Sequence, residues 1–314
     1  MTPHGLYTGR YAPSPTGDLH IGNALAAVVA WSRAHLRGGR CLLRIEDLDV
    51  ARTKPGVCER ILADLSDLGL GFPDDVMVQS ARTRAYEAAL QRLIDDDLVY
   101  ACTCSRRDLA ASAPHLGDEG PVYLGTCRHR AVGPSGVDKD SPHVSLRVRV
   151  DRLVERFGNP IVHDAWQGVF THDVVAEVGD FIIRRRDGLF AYQLAVVVDD
   201  AFSGVNEVVR GQDLLSSSPR QLLLHRALGN PVPPSFAHLP LILDAAGERL
   251  SKRSPQAPEL LRTLLQRASP PRVLGHLLHL LGRAQAGAEV SAVEFAARLD
   301  DEALKRPSLV WRSL

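Results

Sequence analysis

Apolar and polar positions along the first hundred residues follow two alternating rhythms. The stretch "TGRYAPSP" opens as a short strand and runs into a loop punctuated by prolines. The apolar-rich run from Ala24 to Leu36 predicts a helix beginning near His20, with Asp18 as its capping candidate. "CLLRIEDL", Cys41 to Leu48, starts apolar and ends charged, as a buried strand does when its last residues meet a site. "VCERILADLSDLGL" then returns to a helical period, placing Ile61, Leu62, Leu65 and Leu68 on one face. Strand, helix, strand, helix in that order predicts an α/β fold on a parallel sheet.

From Tyr100 to about Pro142 this pattern dissolves into Gly, Pro and cysteine, as expected of an insertion held by something other than a core. Strand-like runs resume at Val144–Val150 and across Asp180–Asp200, the latter with an Asp187-Gly188 turn that reads as a hairpin. After "RLSKRS" the runs "LLRTLLQRA" and "VLGHLLHLLGRA" have a helical period. No internal repeat is visible.

Composition narrows the class. The 314 residues are 45% apolar and 24% charged, with zero net charge, so a real core is expected and no global attraction to nucleic acid. Residues 245–314 carry 11 Lys/Arg against 7 Asp/Glu, a local surplus that suits an RNA backbone. No apolar run approaches the roughly 18 residues of a membrane span, and no signal-peptide pattern opens the chain. Five cysteines, an odd number, argue for reduced thiols. The expectation is a cytoplasmic, monomeric protein.

Two segments carry candidate chemistry. "PSPTGDLHIGN" brings His20, Gly22 and Asn23 to a helix start, where unpaired N–H groups and the helix dipole suit phosphate. Some 230 residues later "ERLSKRS" presents Lys252, a mobile point charge able to follow a phosphate. Each alone also fits an ordinary polar loop. Together they resemble the HIGH and KMSKS signatures of class I aminoacyl-tRNA synthetases. "GRYAPSPTGDLHIGNALAA", "LLRIEDLDVART", "DGLFAYQLAVVVDDAFSGVNEVVRGQDLLSSSPRQLLLHRALG" and "RLSKR" are similar to the glutamyl branch of that class, over most of residues 5–260.

The resemblance implies an α/β, Rossmann-like catalytic domain with a zinc-binding insertion and a short helical C-terminal region. It implies ATP as substrate with Mg²⁺, and His20 and Lys252 as catalytic residues. His20, Gly22, Asn23 and Lys252 would bind ATP. Arg10, Tyr11, Ala12, Pro13, Ser14, Glu46, Tyr192 and Arg210 would bind L-glutamate, with Arg10 on a carboxylate and Glu46 facing the amine. Two positions depart from the signatures. Asn23 replaces the second histidine of HIGH, and Arg249 and Arg253 flank a single lysine in the other loop.

Cys102, Cys104 and Cys127 fall within 26 residues, and a C-x-C pair supplies two of the four ligands of a structural zinc site. Their spacing leaves the fourth ligand open, His115 and His129 being the usual donors. A zinc-binding, synthetase-like family uses Cys-x-Cys followed by Tyr-x-x-x-Cys, and that resemblance selects Tyr123. Arg106, Arg107, Arg128 and Arg130 flank these residues as candidates for RNA contact.

The organisation expected is residues 1–99 as the first half of the catalytic domain and 100–142 as the insertion. Residues 143–244 form the second half with a connective region, and 245–314 the RLSKR loop with a stem-contact-like helical region. With only 62 residues after Lys252, no anticodon-binding domain is expected. That architecture resembles the glutamyl-queuosine tRNA(Asp) synthetase family, which transfers activated glutamate to the queuosine base of tRNA(Asp). The competing expectations are an enzyme charging a tRNA 3′ end and a non-catalytic tRNA- or nucleotide-binding paralogue.

Overall fold

The computed structural model describes residues 6–105, 107–108, 116–117, 120–123, 125–133, 136–244, 246–248, 259–311 and 314. Strand β1 (Thr8–Tyr11) is buried throughout and pairs in parallel with β2 (Arg40–Ile45), in register from Thr8 opposite Arg40 to Tyr11 opposite Leu43. Helix α1 (Ile21–Leu36) makes the crossover. Prolines 13 and 15 lack the N–H groups to extend β1, so its chain turns out into a loop. Beyond β2 the sheet adds the short β3 (Met77–Val78). Of the face expected on α2 (Val57–Asp67), Ile61, Leu65 and Leu68 are buried, whereas Leu62 turns to solvent.

On the other side of β1 lies β11 (Glu207–Gly211), joined by Asn206 N donating to Thr8 O at 2.9 Å. The order continues through β12 (Ser235–Leu239) and β8 (Ile161–Asp164), all parallel, to β9 (Gly168–Thr171), which is antiparallel at the edge. The chain therefore leaves β1 toward β2 and later returns on its opposite flank. That reversal opens a crevice at the carboxyl ends of β1 and β11, where doubly wound sheets hold ligands.

Between the two halves sits an antiparallel sheet of β4 (Val99–Cys102), β7 (Ser145–Val148) and β10 (Ile182–Arg184). A two-stranded ribbon, β5 (Leu116–Gly117) with β6 (Gly120–Pro121), lies within residues 100–142, the segment expected to be an insertion. Helices α3 (Thr83–Asp95), α4 (Val150–Phe157), α5 (Tyr192–Phe202) and α6 (Ser218–Ala227) share a core with this sheet that includes Tyr86, Leu90, Leu146, Leu194 and Leu223. The Asp187-Gly188 hairpin forms, with Gly188 at φ 83° and Arg184 bridged to Phe190. The strand expected beyond it does not form. "YQLAVVVDD" is helix α5, and its valines lie in a core that rewards burial on a helix over their β-propensity.

Helices α7 (Leu261–Arg267), α8 (Pro270–Leu280) and α9 (Ala292–Arg298) bury Leu261, Leu274, Leu277 and Phe295 in one core with α1. Strand β13 (Leu241–Leu243), just past the crevice, pairs in parallel with β14 (Ser308–Val310). Among the described residues no helix is long and apolar enough to cross a membrane.

Candidate active site and metal centre

A cleft of about 690 Å³ opens at the carboxyl ends of β1 and β11. Its walls bring together Arg10, Tyr11, Ala12, Pro13, Ser14, His20, Gly22, Asn23, Glu46, Tyr192 and Arg210. These positions are up to 200 residues apart in the chain; the sheet reversal gathers them. Lys252 and the rest of the RLSKR loop lie outside the described residues. The described chain on either side of that loop is anchored beside the cleft. Asp244 N donates to Glu248 O at 2.8 Å, Ile21 N donates to Glu259 O at 3.1 Å, and Leu261 N donates to Leu19 O at 2.8 Å.

The start of α1 differs from the sequence expectation in two ways. Its cap is His20, not Asp18, whose carboxylate instead accepts from Arg60 Nε at 2.6 Å. His20 Nδ1 accepts from Gly22 N at 3.1 Å and Asn23 N at 3.4 Å, while Asn23 Oδ1 accepts from His20 N at 3.2 Å. The motif is thus a capping box built from His and Asn. The first-turn N–H groups expected to be unpaired are therefore engaged within the protein, Ile21 N by Glu259 O. With Nδ1 accepting, the neutral imidazole carries its proton on Nε2. A Cβ on Gly22 would meet His20 Cε1 at 3.0 Å, so glycine is what lets the ring lie over the turn.

The opposite wall is a buried charge cluster. Arg10 Nη1 donates to Val209 O at 3.0 Å, and its Nε lies 3.5 Å from Asp200. Arg44 Nη1 donates to Asp200 at 2.5 Å and its Nη2 to Glu46 at 3.0 Å. Burial pushes the Asp200 carboxyl up, but Arg44 and Arg10 outweigh it and hold the group below the ordinary range. At Glu46 burial prevails over the same two arginines and raises the carboxyl. Arg210 completes the corner. Burial lowers its pKa, and among the described residues no carboxylate lies within ion-pair distance. Arg10, Arg44 and Arg210 together face Asp200 and Glu46, a surplus of one positive charge among side chains that are themselves largely buried at the base of the cleft.

Several of these partners carried no signal in the sequence. Asp200 ends an apolar helix, and its pairing with Arg44 spans 156 positions. His238 contacts Arg210, and Asp164 contacts His238, across adjacent strands. Arg185, from the β10 hairpin, lines the cleft and meets Asp49 on the facing wall at 3.0 Å.

A second cluster lies in the insertion. The sulfurs of Cys102, Cys104 and Cys127 all lie within 4.8 Å of one another. The Tyr123 hydroxyl is 3.5 Å from Cys102 Sγ and 3.4 Å from Cys104 Sγ, and Cys104 Sγ is 3.5 Å from Cys127 Sγ. A tetrahedral zinc with bonds of about 2.3 Å to sulfur and about 2.0 Å to oxygen sets S···S near ~3.8 Å and S···O near ~3.5 Å. The donor set therefore fits such an ion. His129 does not join the cluster among the described residues, and His115 lies outside them. Cys127 N donates to the Tyr123 hydroxyl at 3.0 Å, and the Arg147 guanidinium sits 4.1 Å over the ring.

The insertion is keyed to the sheet by Asp180, which accepts from Tyr100 OH, Arg128 Nε and Val150 N at 2.6–2.9 Å. Arg128, a candidate for RNA contact, is thus paired with Asp180 and also with Asp151 at 2.9 Å. Arg130 donates to Thr103 Oγ1 at 2.9 Å, Arg107 is exposed, and Arg106 is outside the described residues.

Residues 7–302 match the family model for the catalytic domain of class I tRNA synthetases, E and Q. The fold agrees: a glutamate-tRNA synthetase from Elizabethkingia anophelis superposes with a TM-score of 0.78 at 23% identity, covering 98% of this chain and 68% of that one. A methionyl-tRNA synthetase from Mycobacterium tuberculosis superposes at 0.59 with 12% identity, over 87% of this chain and 64% of that one. The chain belongs to the class I aminoacyl-tRNA synthetases, ligases that form an aminoacyl bond. A glutamyl-Q tRNA(Asp) synthetase of Chromobacterium violaceum is 46% identical over 251 residues, 80% of each chain. One from Geobacter sulfurreducens is 47% identical over 254 residues, 80% of this chain and 77% of that one. Within the class, the chain belongs to the glutamyl-Q tRNA(Asp) synthetase family.

Proposed function

We propose that this protein activates L-glutamate with ATP and transfers it to the queuosine base in the anticodon loop of tRNA(Asp). The observation that carries the first step is the charge cluster. Glutamate brings two carboxylates and one ammonium, a net charge of minus one, to a corner whose surplus is one positive charge. Arg10 and Arg210 hold carboxylates there, and Glu46 receives the ammonium, beside Tyr192 and the Tyr11–Ser14 segment. A bidentate guanidinium suits a carboxylate better than an ammonium would.

In activation, a carboxylate oxygen of glutamate attacks the α-phosphorus of ATP and pyrophosphate leaves, giving glutamyl-adenylate. His20, through Nε2–H, donates to a phosphate oxygen at the start of α1, with Gly22 and Asn23 forming the turn beneath. Lys252 follows the charge that builds on the phosphate. Mg²⁺ would accompany ATP, ligated mainly by phosphate and water. In transfer, a hydroxyl of the cyclopentene ring of queuosine attacks the acyl carbon, and AMP leaves. The relatives' names support this acceptor. Cys102, Cys104, Tyr123 and Cys127 hold one zinc ion, which substitutes for a core in the insertion.

Labelled glutamate and ATP, incubated with tRNA(Asp) with and without queuosine and mapped by nuclease cleavage, test the acceptor. Label is expected in the anticodon loop and only when queuosine is present. Label at the 3′ terminal adenosine would overturn the proposal. At the ATP end, Gly22→Ala is expected to raise KM for ATP about three- to tenfold, because the added methyl displaces the capping imidazole, and caps are worth about 1 kcal/mol. An unchanged ATP KM in that variant would remove His20 from the phosphate site.

A further inference from the structure

We propose that His238, backed by Asp164, is the positioning residue that fixes the Arg210 guanidinium in the glutamate pocket; this rests on the assignment of Arg210 to substrate. The three side chains step across three neighbouring parallel strands. Arg210 on β11 is in direct register with His238 on β12, and Phe236 of β12 is in register with Asp164 of β8. All three are buried, His238 completely.

Arg210 is held in an unusual way for a buried cation. Its Nε donates to His238 Nε2 at 2.9 Å, and Nη1 donates to Gln221 Oε1 at 2.8 Å and to Tyr192 OH at 3.3 Å. Nη2 donates to Ser218 Oγ at 2.8 Å and to Leu214 O at 3.2 Å. Every direct partner is neutral, and the Asp164 carboxylate reaches it only through the His238 ring, so the guanidinium is aimed without a direct counter-ion and remains open to an anion in the cleft. Among these contacts, those to the terminal nitrogens come from α5, α6 and the 3-10 turn Gln212–Ser217 that leads into α6. His238 alone reaches Nε from the sheet and so sets the rotation of the guanidinium plane.

For that contact the imidazole must accept at Nε2, which requires its proton on Nδ1. Asp164 Oδ2 lies 2.5 Å from Nδ1 and holds it there. Asp164 is itself fixed by Trp166 N at 3.0 Å and Gln167 N at 2.9 Å. A protonated ring would have no lone pair for Arg210 and would put a second cation beside it. Burial lowers the His238 pKa to about 4, despite the bond to Asp164, so the neutral form persists.

Two amide variants separate positioning from mere filling of space. His238→Asn places an amide where Nδ1 was and keeps Asp164 paired, but reaches nothing at Nε2. His238→Gln restores an acceptor at the Nε2 position. In glutamate-dependent pyrophosphate exchange, His238→Asn is expected to raise KM for glutamate about tenfold, with KM for ATP changed less than about twofold. His238→Gln is expected to return it to within about threefold of the native value. Equal effects of the two variants, an equal shift in ATP KM, or an unchanged glutamate KM for His238→Asn would each overturn the proposal. Should His238→Asn fail to fold, Asp164→Asn is read in its place. Its amide would donate to Nδ1, move the ring proton to Nε2 and raise glutamate KM similarly. Arg210→Lys is the control for the underlying assignment. If it leaves glutamate KM unchanged, the pocket is misassigned; if it raises KM while the His238 pair does not separate, only the positioning role fails.

Discussion

Arg10→Ala is expected to lower kcat/KM for glutamate in pyrophosphate exchange by about a thousandfold, with KM for ATP nearly unchanged. The figure follows from truncating one member of a buried, hydrogen-bonded charge group, which costs about 3–5 kcal/mol. Arg10 sits on β1 at the point where strand order reverses, and its Nη1 grips Val209 O on the facing strand. Its loss removes the positive surplus of the pocket, leaving Arg44 and Arg210 against Asp200 and Glu46, so a net-negative substrate no longer meets a complementary field. Arg10→Lys keeps the charge but not the planar fork, and an intermediate loss is expected. Thermal melting separates the two costs, since the Asp200 partnership with Arg44 at 2.5 Å remains in both variants. A folded Arg10→Ala protein within about tenfold of native kcat/KM would contradict the assigned role.

How much of this site could be read in the sequence depends on how far each residue's role is local. His20, Gly22 and Asn23 lie within one turn, and their spacing alone places them at the start of a helix. Even there the spacing does not show that His20 caps the helix and engages the N–H groups that would otherwise suit phosphate. The difference lies in side-chain geometry: His at the cap position reaches its own first turn, while Asp18 is drawn to Arg60. Arg10, Glu46, Tyr192 and Arg210 were found through motif resemblance, because no periodicity marks which strand ends will converge. The Asp164–His238–Arg210 chain was invisible, since strand register across 74 positions leaves no trace in a single sequence. Helix α5 departs from its local strand pattern for a related reason. Three consecutive valines favour a strand locally, and burial against α3 and α6 reverses that preference.

The insertion is nearer the local case, since spacing marks its three cysteines and resemblance adds only Tyr123, and it yields the second large effect. Cys127→Ser is expected to reduce zinc content from about one ion per chain to near zero and to melt the insertion independently of the parallel sheet. Among the described residues its separate buried cluster consists of Tyr100, Cys102, Tyr123 and Cys127, with Cys104 packed against it, a small apolar group to set against the entropy of ordering some forty residues. A structural zinc in small peptides contributes about 10–16 kcal/mol, enough to supply the deficit. Tyr123→Phe is the sharper probe, because it deletes one oxygen and keeps the ring under Arg147. With the hydroxyl 3.4–3.5 Å from two of the sulfurs, its removal is expected to weaken zinc at least about tenfold in a chelator competition. His129→Ala, outside the sulfur cluster, is expected to leave zinc binding unchanged. The reverse pattern, with Tyr123→Phe silent and His129→Ala zinc-poor, would move the fourth ligand to the imidazole. Full zinc retention in Cys127→Ser would dismiss the site. Asp180, which ties Arg128 and Tyr100 to the sheet, marks where the damage is expected to stop: glutamate-dependent pyrophosphate exchange in the cleft is expected to persist in the Cys127→Ser protein.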